Sequence, residues 1–203
     1  MSFDVDVALR RGEAAIVCRI ESGDGLTVLF GPSGAGKTSV LNMVAGLLTP
    51  DIGHVRVGGE ALFDAAAGLD LLPERRRAGY VFQEPRLFPH QRVRANLLYG
   101  WRVGEGAVDV DETVGLLGLA GLLDRWPRSL SGGEARRVAI GRAILSNPRF
   151  LLLDEPLSSL DRARREEIMA LIERLRDELA LPILMVTHDR GEAERLGSRI
   201  VEI

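Results

Sequence analysis

The segment Gly31-Pro32-Ser33-Gly34-Ala35-Gly36-Lys37-Thr38 constrains this 203-residue chain more than any other feature. It fits the pattern Gly-x4-Gly-Lys-Ser/Thr, follows the apolar run Leu26 to Phe30 and precedes the helical pattern Ser39 to Leu47. Strand, glycine loop and helix in that order make a phosphate cradle. The glycines let backbone N–H groups turn inward around phosphate oxygens, and the helix adds its positive N-terminal end. Thr38 then presents its hydroxyl to Mg²⁺, and Lys37 reaches the β- and γ-phosphates, with Ser39 beside them in the first turn.

Lys37 is also the only lysine. Every other member of the 26 basic residues is arginine. A coding bias accounts for arginine where either cation serves, and it leaves Lys37 as the exception to explain. Arginine's planar fork is bulkier than an ammonium and fits a tight cradle poorly, so the lone lysine stands where substitution is least tolerable. The net charge of −3 argues against a protein that coats nucleic acid. The single cysteine, Cys18, has no disulfide partner and no neighbour at metal-ligand spacing. No apolar run reaches the length of a membrane span, and Met1 to Asp4 begins without a basic region or signal core, which places the protein in the cytoplasm.

Along the chain, Phe3, Val5, Val7 and Leu9 alternate, as do Ile16, Cys18 and Ile20, predicting a small antiparallel sheet. Continuous apolar runs at Leu26 to Phe30, Phe150 to Leu153 and Ile183 to Val186 predict parallel strands covered on both faces. Arg162 to Ala180 places Ile168, Leu171, Ile172, Leu175 and Leu179 on one face and predicts a crossover helix. From about Glu84 to Ser146 the pattern is helical, around Val93 to Tyr99 and Asp111 to Leu117, with turns at Gly104-Glu105-Gly106 and Gly115 to Gly121. That stretch reads as a helical insertion in a single α/β domain.

Asp154-Glu155-Pro156 follows the second parallel run. A buried parallel strand delivers its C-terminal residues to the ligand crevice, so Asp154 is placed to hold the magnesium shell and Glu155 to act as a general base on water.

Further motifs occur in a fixed order: Gln83 after Tyr80-Val81-Phe82, then Ser131-Gly132-Gly133-Glu134, Ser158-Ser159-Leu160-Asp161, and His188 in Val186-Thr187-His188-Asp189. Together with the phosphate loop they resemble an ATP-binding cassette (ABC) ATPase across essentially the whole chain. The resemblance implies a P-loop NTPase core with a parallel sheet, an N-terminal antiparallel subdomain and an inserted helical subdomain. It implies ATP and Mg²⁺ as ligands. By the same resemblance Gln83 contacts Mg²⁺ or the attacking water, His188 binds the γ-phosphate, and Ser131, Gly132, Gly133 and Glu134 cap a nucleotide held by a second, identical subunit, with Asp161 joining the two. Glu134 departs from the glutamine commonest in the family. Ser-Gly-Gly-Glu is equally a good helix N-terminus, and the two roles are compatible.

Within the family, Arg86-Leu87-Phe88-Pro89-His90 and Asn96-Leu97-Leu98-Tyr99-Gly100 are similar to ATP-binding subunits of molybdate importers, with tungstate, sulfate or another solute as alternatives. The resemblance places the protein on the inner face of the membrane through permease subunits docking near Gln83 to His90. Leu87 and Phe88 are either an exposed docking surface or core of the insertion. Relatives continue into a C-terminal oxyanion-binding domain that is not expected in this chain. The aromatic that stacks on adenine in the family has no clear counterpart: Arg11 lies near the expected place and Phe3 is a substitute. A soluble cassette acting on DNA or ribosomes would carry a coiled-coil insertion or tandem cassettes, and a small-molecule kinase would have no reason to carry the Ser131 motif.

Overall fold

The computed structural model of the protein describes residues 2–12, 14–101, 108–179 and 181–203. Strand β1 (Phe3–Arg11) pairs antiparallel with β2 (Ala14–Ser22), as the alternation predicts. Strand β3 (Leu26–Phe30) leads through the glycine loop into α1 (Lys37–Ala45). Three strands that the sequence pattern did not separate follow: β4 (Ile52–Val57), β5 (Glu60–Asp64) and the short β6 (Leu69–Asp70). They extend the first sheet in the order β2-β1-β4-β5-β6.

After the single turn α2 (Pro73–Arg76), β7 (Ala78–Val81) enters a second sheet. The chain then runs through α3 (Val93–Trp101), α4 (Val110–Leu116), two short 3-10 turns and α5 (Gly132–Leu145), with no strand among the described residues between Val81 and Phe150. Gly115 lies within α4, and the turn is made by Gly118, whose φ of 62° is left-handed. The predicted turn at 104–106 lies outside the described residues. Strand β8 (Phe150–Asp154), α6 (Arg162–Glu178), β9 (Ile183–Thr187), α7 (Arg190–Leu196) and β10 (Arg199–Glu202) complete the chain. The predicted crossover helix thus ends two positions early. Its last predicted residue, Ala180, lies outside the described residues.

The second sheet is parallel throughout, in the order β10-β3-β9-β8-β7. Its side chains divide by parity between two cores. Leu26, Val28, Leu151, Leu153, Ile183 and Met185 join one core with α5 and α6. Leu29, Phe150, Leu152, Leu184 and Val186 join the other with α1 and the antiparallel sheet. Burial on both faces is why these strands read as unbroken apolar runs. Phe3 is fully buried in the second core, edge-on to Phe150 at 6.0 Å, so it is a core residue and no base-stacking aromatic. The Arg11 side chain lies outside what is described. Cys18 is buried and its thiol is pushed up to about 11 by burial, which makes it inert packing.

One polar contact fixes the phosphate-loop helix from behind. Arg76 has a relative exposure of 0%, and its guanidinium donates to Met43 O at 2.8 Å, Val44 O at 3.0 Å and Leu71 O at 2.8 Å, and pairs with Asp70 at 2.7 Å. A cation on the last carbonyls of α1 complements the negative end of that helix. Replacing Arg76 by Met takes the guanidinium donors from Val44 O and the part-buried Leu71 O, whereas Met43 O still accepts from Gly46 N at 3.2 Å. At roughly 1 kcal/mol for each of the two, the loss is about 2 kcal/mol. Urea denaturation should show it as a lowered midpoint against wild type and an Arg75→Met control at an exposed position. Equal midpoints for Arg76→Met and Arg75→Met would remove Arg76 from this role.

Candidate functional site

Four adjacent strands of the parallel sheet, β3, β9, β8 and β7, end at one level. Phe30 is in register with Thr187, Val186 with Asp154, and Leu153 with Val81. The residues just beyond those ends are therefore neighbours: the glycine loop after β3, His188 after β9, Glu155 after β8, and Gln83 shortly after β7. This is the crevice at the carboxyl ends of parallel strands where ligands bind in open α/β sheets.

In the loop, Gly36 takes the N-cap of α1 with φ of 95°, a left-handed conformation that L side chains rarely adopt, and a Cβ there would lie 3.0 Å from Ile16. Gly36 has no side chain to cap α1, so the N–H groups of the first turn are left for an external anion. Lys37 is 4% exposed, and its ammonium donates to Gly31 O at 2.8 Å and Pro32 O at 2.7 Å. Two of its three donors brace the loop and one is left for a ligand. Pro32, Ser33 and Gly34 are exposed and Ala35 half-buried, closing the loop with Ala35 N donating to Pro32 O at 3.3 Å. Ser39 is half-buried in the first turn.

Thr38 donates its hydroxyl to Asp154 Oδ1 at 2.9 Å. Burial raises the Asp154 pKa, and the Thr38 hydrogen bond opposes that rise. Hydroxyl and carboxylate are hard oxygen donors suited to Mg²⁺, which keeps waters and phosphate oxygens in its shell rather than taking an all-protein cage. Residues and ion fit each other.

Glu155 is the hub of the other half. Its Oε2 accepts from Gln83 Nε2 at 3.2 Å, and its Oε1 faces His188 Nδ1 at 3.1 Å. Its φ of 44° is left-handed, a strained turn held by Glu155 N donating to Val186 O at 3.1 Å. Thr187 donates to Glu192 Oε2 at 2.6 Å and accepts from Asp189 N at 3.1 Å, which fixes the backbone on both sides of His188. Burial raises the Glu192 pKa. Ser33, Gln83, Glu155 and His188 line a cleft of about 350 Å³. Thr38, Gln83, Arg86 and Asp154 line an adjoining one of about 540 Å³. A larger cleft, about 740 Å³ beside Asp24, Gly58 and Arg176, shares no residue with these two.

Ser131 to Glu134 and Asp161 line neither of these two clefts. Ser131 caps α5, accepting from Glu134 N at 3.3 Å, while its own N–H donates to Glu134 Oε2 at 2.6 Å. That bond holds the Glu134 carboxyl below its usual range. Asp161 caps α6 in the same way, accepting from Arg164 N at 3.0 Å. The two caps are neighbours, since a Cβ on Gly132 would lie 3.5 Å from Leu160 and one on Gly133 would lie 3.5 Å from Arg164.

Between the insertion and the site, Leu87 and Phe88 are half-buried. Leu87 packs against the core, while Phe88 meets Tyr99 at 4.5 Å between ring centres. Tyr99, Trp101 and Trp126 are exposed. The segment therefore has an apolar inner side and an aromatic outer one.

Sequence reasoning missed Arg136 and Tyr80. Arg136 donates to Phe82 O and Gln83 O at 2.7 and 2.6 Å. Tyr80 donates to Asn42 of α1 at 3.1 Å and stacks on Phe82 at 4.1 Å. The available signal for Arg136 was an arginine on the Gly133 and Ile140 face of a helix, where the period calls for an apolar residue.

Residues 18–158 match the ABC transporter family. The chain is 52% identical over 204 residues to the "Molybdenum import ATP-binding protein ModC" of Rhodospirillum rubrum, covering 99% of this chain and 55% of that protein. It is 53% identical over 199 residues to the protein of the same name from Brucella melitensis, covering 97% and 55%. The chain thus spans about half the length of these curated relatives. Among solved structures it is similar to the dimeric post-hydrolysis state of the ATP-binding cassette MJ0796 bound to ADP and Pi, with a TM-score of 0.75, 30% identity and coverage of 100% of this chain and 93% of that one. It is also similar to the dimeric structure of MJ0796 described as a bacterial ABC transporter cassette, with a TM-score of 0.78, 29% identity and coverage of 99% and 94%.

Lys37→Arg tests the cradle directly. The guanidinium cannot seat between two carbonyls 2.7 and 2.8 Å from one nitrogen without moving the loop. Affinity for ATP, measured by fluorescence titration, should fall at least about tenfold, the effect of losing about 1.4 kcal/mol. Arg19→Lys, the reverse exchange on the exposed Arg19–Glu21 pair, should leave affinity unchanged. Equal affinities for both variants would show that charge alone suffices at position 37.

Proposed function

The chain belongs to the ABC transporter family, and on that premise we propose that it is the ATP-hydrolysing subunit of an importer for molybdate. The observation that carries hydrolysis is the Glu155 carboxylate held between Gln83 and His188, at the strand ends that also present Lys37, Thr38 and Asp154. Support for molybdate comes from the names of the relatives and from the Arg86 to His90 and Asn96 to Gly100 motifs. Tungstate or sulfate is the alternative cargo.

Each residue has a part in this reading. Gly31 to Lys37 wrap the phosphates, with Lys37 directed at the γ-phosphate. Thr38 and Asp154 would hold Mg²⁺, joined by Gln83. When bound, that ion neutralises charge developing on the phosphates. Glu155 takes the proton of the attacking water, oriented by Gln83, and His188 beside it steadies the γ-phosphate. Phosphoryl transfer is mostly positioning and charge stabilisation, which suits a site whose parts are already joined by hydrogen bonds.

Ser131, Gly132 and Gly133 lie outside the clefts, so a second copy of the chain, placed head to tail, would bring them to its partner's nucleotide. Glu134 then serves as their cap and Asp161 sits beside them at the shared face. Among the described residues no helix is long and apolar enough to cross a membrane. As an importer ATPase it would work with permease subunits, which we place on the aromatic side of the Gln83 to His90 segment, at the inner face of the membrane.

Glu155→Gln should keep ATP affinity within about twofold and lower kcat at least ~100-fold, the low end for a general base. Steady-state phosphate release with parallel ATP titration measures both, and near-normal turnover would take Glu155 out of the role. The same variant should accumulate an ATP-dependent dimer in size-exclusion chromatography. Cargo is settled in proteoliposomes carrying the permease, by whether molybdate, tungstate or sulfate stimulates hydrolysis.

A further inference from the structure

Arg136 sits on the buried face of α5 and is 3% exposed. A charge at that depth ordinarily has a carboxylate against it. The groups that accept hydrogen bonds from Arg136 are two neutral backbone carbonyls, Phe82 O at 2.7 Å and Gln83 O at 2.6 Å; the Asp154 carboxylate attracts it only at longer range, and its buried Nε has no hydrogen-bond partner among the described residues. An arginine kept only to fill space would be matched by an apolar side chain of similar volume. What these two bonds secure is a piece of backbone. Strand β7 ends at Val81, so Phe82 and Gln83 lie beyond its ladder. Pinning two successive carbonyls sets the peptide planes from which the Gln83 side chain leaves, and that side chain ends 3.2 Å from Glu155 Oε2.

The next turns of α5 continue the arrangement. Arg142 donates to Arg86 O at 2.9 Å and Pro85 O at 3.1 Å, so one helix grips the segment from Phe82 to Arg86 by four carbonyls. The opposite end of α5 carries Ser131 and Glu134.

We propose that Arg136 is a positioning residue for hydrolysis: it sets Gln83, and through Gln83 the Glu155 carboxylate, so that a displacement of α5 is felt at the base. The proposal rests on the hydrolytic reading of the preceding subsection. It differs from a stabilising role because its effect passes through one side chain, and that makes it separable.

The test is a double-mutant cycle of Arg136→Met and Gln83→Ala, with Arg136→Lys alongside, read by kcat and KM for ATP. Arg136→Met should lower kcat at least about tenfold with KM within about twofold, because misplacing a group near the reacting atoms costs rate more than binding. Arg136→Lys should recover part of the loss, since one ammonium can replace only part of the fork. In the Gln83→Ala background Arg136→Met should cost nothing further. Wild-type kcat in Arg136→Met, or losses that multiply in the double variant, would overturn the proposal. Should Arg136→Met fail to fold, Arg136→Lys replaces it in the cycle. A kcat deficit that vanishes when Gln83 is absent supports the proposal, and a persistent deficit or a wild-type kcat sinks it. A wild-type chain without ATPase activity would instead defeat the hydrolytic reading and this proposal together, a result distinct from an active enzyme indifferent to Arg136.

Discussion

The shared level of four parallel strand ends is the constraint on which the rest of this molecule depends. It is set by apolar volume. The two faces of β8 feed different cores, Leu151 and Leu153 on one side, Phe150 and Leu152 on the other. A slip of one residue would exchange the two sets and put Phe150 where a leucine belongs. The strand is therefore held to one register by packing, with roughly 1.5–3 kcal/mol at stake for each large side chain moved. Asp154 and Glu155 have no such packing of their own, and they stand where the leucines put them. The same holds for His188 beyond β9 and for the glycine loop beyond β3.

Buried cations then tie the loops to this frame, and they share one device. Lys37, Arg76 and Arg136 are each buried, and each is surrounded mainly by backbone carbonyls. A carbonyl shell satisfies donors without importing a second charge, and it fixes backbone directly, which a carboxylate on a flexible stem does less well. The three differ in what they leave over. Arg76, with a carboxylate as well as carbonyls, closes the C-terminal end of α1 and faces no ligand. Lys37 keeps a donor for one. Arg136 keeps a buried Nε with no hydrogen-bond partner among the described residues. The arginine excess in the composition thus has a structural counterpart at Arg76 and Arg136, where a fork spans two or more carbonyls, and its single exception at Lys37, where one nitrogen must serve two carbonyls and a ligand.

How much of this was legible in the sequence follows from how locally each feature is encoded. The glycine loop, the three long apolar strands and the helix α6 are written in contiguous residues, and the structure places them within two positions of the pattern. Strand β7 was not legible, because Ala78 and Gly79 dilute its apolar run, and its identity comes from pairing with β8. Strands β4 to β6 are short, turn-rich and half exposed. The candidate site divides in the same way. Lys37, Thr38, Asp154, Glu155, Gln83 and His188 stand in motifs, and the structure brings them together. Phe3, a candidate for base stacking on chain position alone, lies in the core. Arg136 and Tyr80 escaped because their significance lies in partners 54 and 38 residues away.

The division between Ser131 and Glu134 follows from the capping geometry. A capping box takes up Glu134 Oε2 and the Ser131 N–H, while Glu134 Oε1 lies 3.9 Å from Arg125, so the charge of the acid is partly met by these neighbours. What remains outward is the exposed Gly132, next to a serine hydroxyl that can still donate. In the proposed role beside a partner's nucleotide an acid would ordinarily repel the ligand; the cap draws one of its oxygens away from that approach while lending α5 a defined start. Glutamine, neutral and able to make the same bonds, would serve equally, which explains why the departure at position 134 leaves the motif chemically intact.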